Sequence, residues 1–136
     1  MLNQFIIVIM REITSEEFEK LVGEAMDHIP EQYVEVFEDV VFKVEDQPTP
    51  QQRKKLGLRR CDALYGLYEG VPRTSRNGQD HLLLPDVITI FRFPMTLQYA
   101  DIKSLKKQVY ETVWHEVAHY FGLNHTAIHK AKNSKT

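Results

Sequence analysis

The chain has 136 residues, the length of one domain, enough to bury a core without disulfides or a structural metal. Hydrophobic residues make up 43% and charged residues 26%, an ordinary globular composition. The formal net charge of -2 gives no global attraction for nucleic acid or for acidic substrates. The one cysteine, Cys61, cannot close an internal disulfide, which fits a reducing, cytoplasmic compartment and a spectator thiol.

In chain order, Phe5 to Met10 form an apolar run that is far too short to span a bilayer. It has no basic residue before it and no small-residue cleavage site after it, so it does not read as a secretory leader. Residues 1–11 are expected to be an N-terminal extension or an extra strand, with Met10 as an alternative start. Thr14-Ser15-Glu16-Glu17 has the form of a capping box, followed by Phe18, Leu21, Val22, Ala25, Met26 and Ile29 at helical spacing. This predicts a helix over residues 15–28, closed by Pro30, with a short turn in 31–37. Val40 to Glu45 is β-branched and runs into Asp46, Pro48 and Pro50, the pattern of a strand entering a loop.

Residues 46–63 are proline-rich and then basic, and are expected to form a loop. Arg53, Lys54, Lys55, Arg59 and Arg60 put five positive charges within eight residues, but no aromatics interleave with them, so the sequence favours a solvated loop over a phosphate contact. Leu64 to Glu69 predicts a second strand, ended by Gly70 and Pro72, and residues 73–80 form a polar connection. Val87-Ile88-Thr89-Ile90-Phe91-Arg92-Phe93 carries the strongest strand signal, and its flanking Pro85 and Pro94 point to an edge strand. From an N-cap at Asp101 the chain reads as one long helix to Phe121. Leu105, Val109, Val113 and Val117 form one apolar row, and Tyr110, Trp114, Ala118 and Phe121 a second, so this helix is buried on most sides near its C-terminal end. Residues 130–136 are a polar tail, and no internal repeat is present.

That last helix carries His115-Glu116-Val117-Ala118-His119-Tyr120-Phe121-Gly122-Leu123-Asn124-His125. Residues four apart share a helix face, so His115 and His119 offer two imidazoles to one ion. The carboxylate of Glu116, next to the first, reaches a metal-held water, the position of a general base. Gly122 falls where only glycine takes a left-handed C′ conformation without a Cβ penalty, and the resulting turn returns His125 as a third ligand. Three neutral imidazoles leave a fourth position of one Zn²⁺ for water, the arrangement of a hydrolytic rather than a structural site. His129, four residues further on, is the alternative third ligand, whereas His28 and His81 lack partners at ligand spacing and suit surface or capping roles. Tyr68, Tyr99 and Tyr120 are the phenols available as oxyanion donors, although packing is the ordinary role of such residues.

With the motif in place, the chain resembles the zincin metallopeptidases, and the H-E-x-x-H-x-x-G-x-x-H spacing resembles their metzincin branch. The order of capped helix, strand, Leu64-Tyr65-Gly66-Leu67-Tyr68-Glu69-Gly70-Val71-Pro72, Leu84-Pro85-Asp86-Val87-Ile88-Thr89-Ile90-Phe91 and zinc helix is similar to the minimal zincin family of small bacterial predicted metallopeptidases. The resemblance covers residues 12–128. It implies one α+β domain over 12–129, with a short mixed sheet of three to four strands packed on an N-terminal helix and a long C-terminal zinc-binding helix, and an edge strand beside the cleft. It also implies His115 and His119 as zinc ligands and Glu116 as catalytic base. The chain departs from the family in carrying His125 where members often have an acidic residue. It departs from full metzincins in having no methionine after His125 to form their Met-turn.

The expected activity is therefore zinc-dependent peptide hydrolysis on a peptide or protein substrate paired to strand 87–93. Two other readings remain beside it. Endoribonucleases of rRNA maturation share the H-x3-H-x5-H spacing but have glycine at the position of Glu116. The other is a zinc-stabilised peptide-binding module without turnover. No membrane association is expected, and the glutamate and mild charge speak against nucleic acid.

Overall fold

The computed structural model describes residues 13–34, 40–70 and 85–122. The expectations for residues 1–11, 73–80 and 130–136, and for His81, His125 and His129, lie outside the described residues. The described elements are helices α1 (Ser15–Asp27) and α2 (Glu31–Val34), strand β1 (Val40–Glu45), helix α3 (Pro50–Lys55), strands β2 (Gly66–Glu69) and β3 (Asp86–Phe91), and helices α4 (Arg92–Gln98) and α5 (Ile102–Tyr120).

Helix α1 starts where the sequence places it. Thr14 Oγ1 accepts the Glu17 amide at 3.1 Å, satisfying one orphan donor of the first turn. Phe18, Leu21, Val22 and Ala25 then bury one face at i, i+3 and i+4 steps. Helix α5 is capped by Asp101, whose carboxylate accepts the Lys103 amide at 3.2 Å and the Ser104 amide at 2.9 Å. Leu105, Val109, Val113 and Val117 are all at most 1% exposed, so the first apolar row is core along its whole length. Of the second row, Trp114 and Ala118 are buried, while Tyr110 and Phe121 are partly buried and pack against the core. Tyr33, from α2, closes this end of the core with its ring centroid 5.1 Å from Trp114 and 5.0 Å from Phe121.

The sheet has three strands in the order β1-β3-β2, with β1 parallel and β2 antiparallel to β3. Strand 87–93 is therefore not an edge strand: β3 is central, and it ends at Phe91. The physical reason lies in its composition. A strand buried on both faces reads as an unbroken apolar run, and Ile88, Thr89, Ile90 and Phe91 are all at most 1% exposed. Neither proline interrupts the ladder. Pro85 precedes the strand, and Pro94 stands in the first turn of α4, where no intrahelical N–H is required. The edges of the described sheet are β1 and β2. In β1, Val40, Phe42 and Val44 turn inwards while Val41, Lys43 and Glu45 are exposed, the alternation of a half-covered strand.

Residues 46–63 are also not all loop. Thr49, Pro50 and Gln52 build a complete capping box with proline at the first helical position: Thr49 Oγ1 accepts the Gln52 amide at 3.1 Å, and Gln52 Oε1 accepts the Thr49 amide at 2.9 Å. Basic residues at the C-terminal end of α3 complement its dipole. Arg92, only 7% exposed, joins three segments. Its guanidinium donates to Asp46 Oδ1 at 2.8 and 3.0 Å and to the Ile13 carbonyl at 2.6 Å, linking the end of β1, the start of α4 and the entry to α1. No helix among the described residues is long and apolar enough to cross a membrane.

Candidate metal centre

The C-terminal half of α5 lies between the helical core and β2. Its buried face holds Val113, Trp114, Val117 and Ala118, which fixes the helix, while His115 and His119 stay partly exposed on the adjoining face. The two imidazole rings stand 4.3 Å apart between centroids, at 71° to each other. Ligand atoms of His115, Glu116 and His119 all lie within 4.8 Å of one another. A zinc ion holds its nitrogen ligands at about 2.0–2.1 Å, and the two imidazoles are near enough for one ion to take both. The structure thus brings together three of the four residues singled out from the sequence.

Glu116 is 6% exposed, and its one partner among the described residues is His119, with Oε2 lying 3.2 Å from Nδ1. This carboxylate raises the His119 pKa above its ordinary value, outweighing the burial that lowers it. A buried carboxylate beside two imidazoles suits a divalent cation held by the imidazoles, because the ion supplies nearby the positive charge that burial of the carboxylate calls for.

The close approach of β2 sets the position of Glu116, a contact absent from the expectations drawn on the sequence. A Cβ on Gly66 would stand 2.8 Å from Thr112 Cγ2 and 3.0 Å from Glu116 Cγ, so the strand can rest on the helix only through glycine. A glycine inside a strand pattern is a sequence signal for such an approach. Gly122 behaves as its position predicts. With φ of +70° it takes the left-handed conformation, and its amide bonds the His119 carbonyl at 2.9 Å, ending the helix directly after the second histidine.

Two of the three phenols are engaged away from the histidines. Tyr68 donates to Asp86 Oδ2 at 3.1 Å, and Tyr99 donates to Gln108 Oε1 at 3.0 Å, from which Gln108 Nε2 continues to Thr112 Oγ1 at 3.0 Å. Tyr120 is 3% exposed and packs edge-on against Tyr68 at 6.0 Å. His28 serves as the C-cap of α1, with Nδ1 2.8 Å from the Glu24 carbonyl, and Cys61 is an exposed free thiol.

A mixed sheet lies on a helix that bears two histidines and a glutamate, a group that could hold a metal ion. Residues 37–134 match the family model described as zincin-like metallopeptidase, a stretch that takes in the whole described sheet and the motif. The chain belongs to the zincin-like metallopeptidase family. Among solved structures it is similar to a conserved hypothetical protein from Thermo thermophilus, at 21% identity over 80% of this chain and 94% of that one, with a TM-score of 0.54. That likeness extends the agreement to the fold. No curated protein matches the chain.

Proposed function

We propose that this chain is a zinc-dependent peptidase in which His115 and His119 hold one Zn²⁺ and Glu116 is the general base. The observation that carries this reading is the convergence of His115, Glu116 and His119 on one face of a helix fixed by a buried core. His125, assigned from the motif spacing, completes the ligand set. When bound, the metal supplies Lewis-acid polarisation of the scissile carbonyl and makes its water more acidic.

The chain's own residues do the rest. The Glu116 carboxylate takes a proton from the attacking water as its oxygen bonds the carbonyl carbon, then delivers that proton to the leaving amine nitrogen as the C–N bond breaks. Its burial keeps competing water away from the carboxylate. The substrate edge is β2, which replaces strand 87–93 in this role because β2 borders the described sheet and rests on Glu116 through Gly66. A peptide paired to its outer edge gains main-chain hydrogen bonds that do not depend on sequence.

The test is an unbiased peptide mixture incubated with the zinc-loaded chain. New amino termini that vanish on chelation are the expected result. Cleavage of structured RNA in place of peptides, or zinc binding without turnover, would contradict the reading.

A further inference from the structure

Five of the 17 lysines and arginines fall at positions 53–60, although the chain as a whole is slightly acidic. One of the five is a fastener. Arg53 Nη2 donates to the carbonyls of Arg59, Arg60 and Asp62 at 2.6, 3.3 and 3.2 Å, so it ties the segment after α3 into one conformation. Gly57, at φ +66°, makes the turn that begins this segment. Arg59 is neutralised by Asp62, which accepts its guanidinium at 3.2 Å and its amide at 2.8 Å. Lys54, Lys55 and Arg60 remain exposed, and none of them bonds an acid among the described residues. Asp62 is the one acid in residues 50–68. Two of these cations stand on α3 and the third on the turn that Arg53 ties to it, which lowers the entropy cost of using them together.

The position of the segment gives it a partner. Ala63, Leu64 and Tyr65 alone separate Asp62 from β2, and the Tyr65 carbonyl already accepts the Phe91 amide at 2.8 Å, so the backbone enters the sheet there. Gln52 of α3 donates to Glu69 at the other end of β2 at 3.0 Å, which holds α3 alongside the strand. Three extended residues span about 10 Å, so the turn that carries Arg60 lies a few peptide positions from Gly66, and Arg53 ties the end of α3 that carries Lys54 and Lys55 to that turn. An antiparallel peptide, the more stable pairing, runs its C-terminal half past the N-terminal end of β2 and towards these cations.

We propose that Lys54, Lys55 and Arg60 form a recognition surface for aspartate and glutamate side chains on the C-terminal side of the scissile bond, so that the substrate class is acidic peptides. This rests on the peptidase reading above for its direction along β2. A peptide fits better than nucleic acid because no aromatic side chain interleaves with the cations to stack a base, and because the segment leads directly into a strand at the border of the described sheet.

The test separates recognition from cleavage. Binding is measured by fluorescence anisotropy on zinc-loaded Glu116→Gln, with a peptide carrying Asp and Glu in its C-terminal half and its Asn and Gln counterpart. Exposed ion pairs are individually weak, so three together are expected to give about a tenfold preference that shrinks in high salt. The same measurement is made with Lys54→Glu, Lys55→Glu and Arg60→Glu added together, at exposed positions where folding is retained and is checked by circular dichroism. Loss of the preference in the charge-reversed protein supports the proposal. Equal binding of the two peptides, a preference unchanged by charge reversal, a preference for acids in the N-terminal half, or retention of RNA with no peptide preference overturns it. Acid-selective binding without hydrolysis by the wild type would refute the peptidase reading alone. Hydrolysis without acid selectivity would refute this one alone.

Discussion

Gly66 and Glu116 meet so closely that a Cβ on the strand residue would stand 3.0 Å from the Cγ of the glutamate. Sheet and motif are therefore one unit: the strand at the border of the described sheet packs directly on the proposed base. Gly66→Ala forces the strand off the helix at Thr112 and Glu116, an overpacking that costs about 1–3 kcal/mol. The expected outcome is a lower Tm and reduced peptide turnover with zinc affinity kept, read by thermal unfolding beside a zinc titration. Unchanged turnover would show that the strand does not position Glu116.

Replacing His115 or His119 by alanine removes one of two clustered imidazoles. Each variant is expected to lose stoichiometric zinc in metal analysis. The wild type gains stability from bound metal by mass action, so a chelator should lower its Tm but leave the Tm of either variant nearly unchanged.

The link from Arg92 to Asp46 makes a stability prediction that leaves the metal centre alone. Asp46→Ala leaves a guanidinium that is 7% exposed without its carboxylate. Losing such a charge-assisted pair costs about 1–3 kcal/mol, and urea unfolding should show it with unaltered zinc binding. A change below a few tenths would mean that Arg92 is satisfied without Asp46.

Asp101→Ala removes the acceptor for the amides of Lys103 and Ser104. Loss of such a cap costs about 0.5–2 kcal/mol. Because the motif lies in the last two turns of the same helix, amide exchange should quicken at residues 103–105 and hold steady around Val117. Faster exchange throughout α5 would show that the cap governs the whole helix.

The parts legible in the sequence are those set by local chemistry. Thr14, Asp101 and Gly122 mark helix ends through their own side chain or lack of one, and the valine row of α5 repeats at the helical period. The clustering of His115, Glu116 and His119 follows from that period alone. The features that differ from expectation depend on neighbours distant in the chain. Prolines beside β3 suggest an edge, whereas its continuous apolar run carries the better signal of two-sided burial. The charges of Arg53, Lys54 and Lys55 obscure the Thr49 and Gln52 capping box before them. A glycine in a strand signals a close approach at Gly66, but that it is α5 which comes there is supplied only by the packed structure.

The central claim is that Glu116 moves protons without holding the metal. Peptide hydrolysis by zinc-loaded wild type and by Glu116→Gln, each with its zinc content determined on the same sample, tests it most directly. The expected result is one zinc per chain in both and a fall in kcat of about 10²–10⁴ in the variant. Equal turnover at equal zinc content would contradict it.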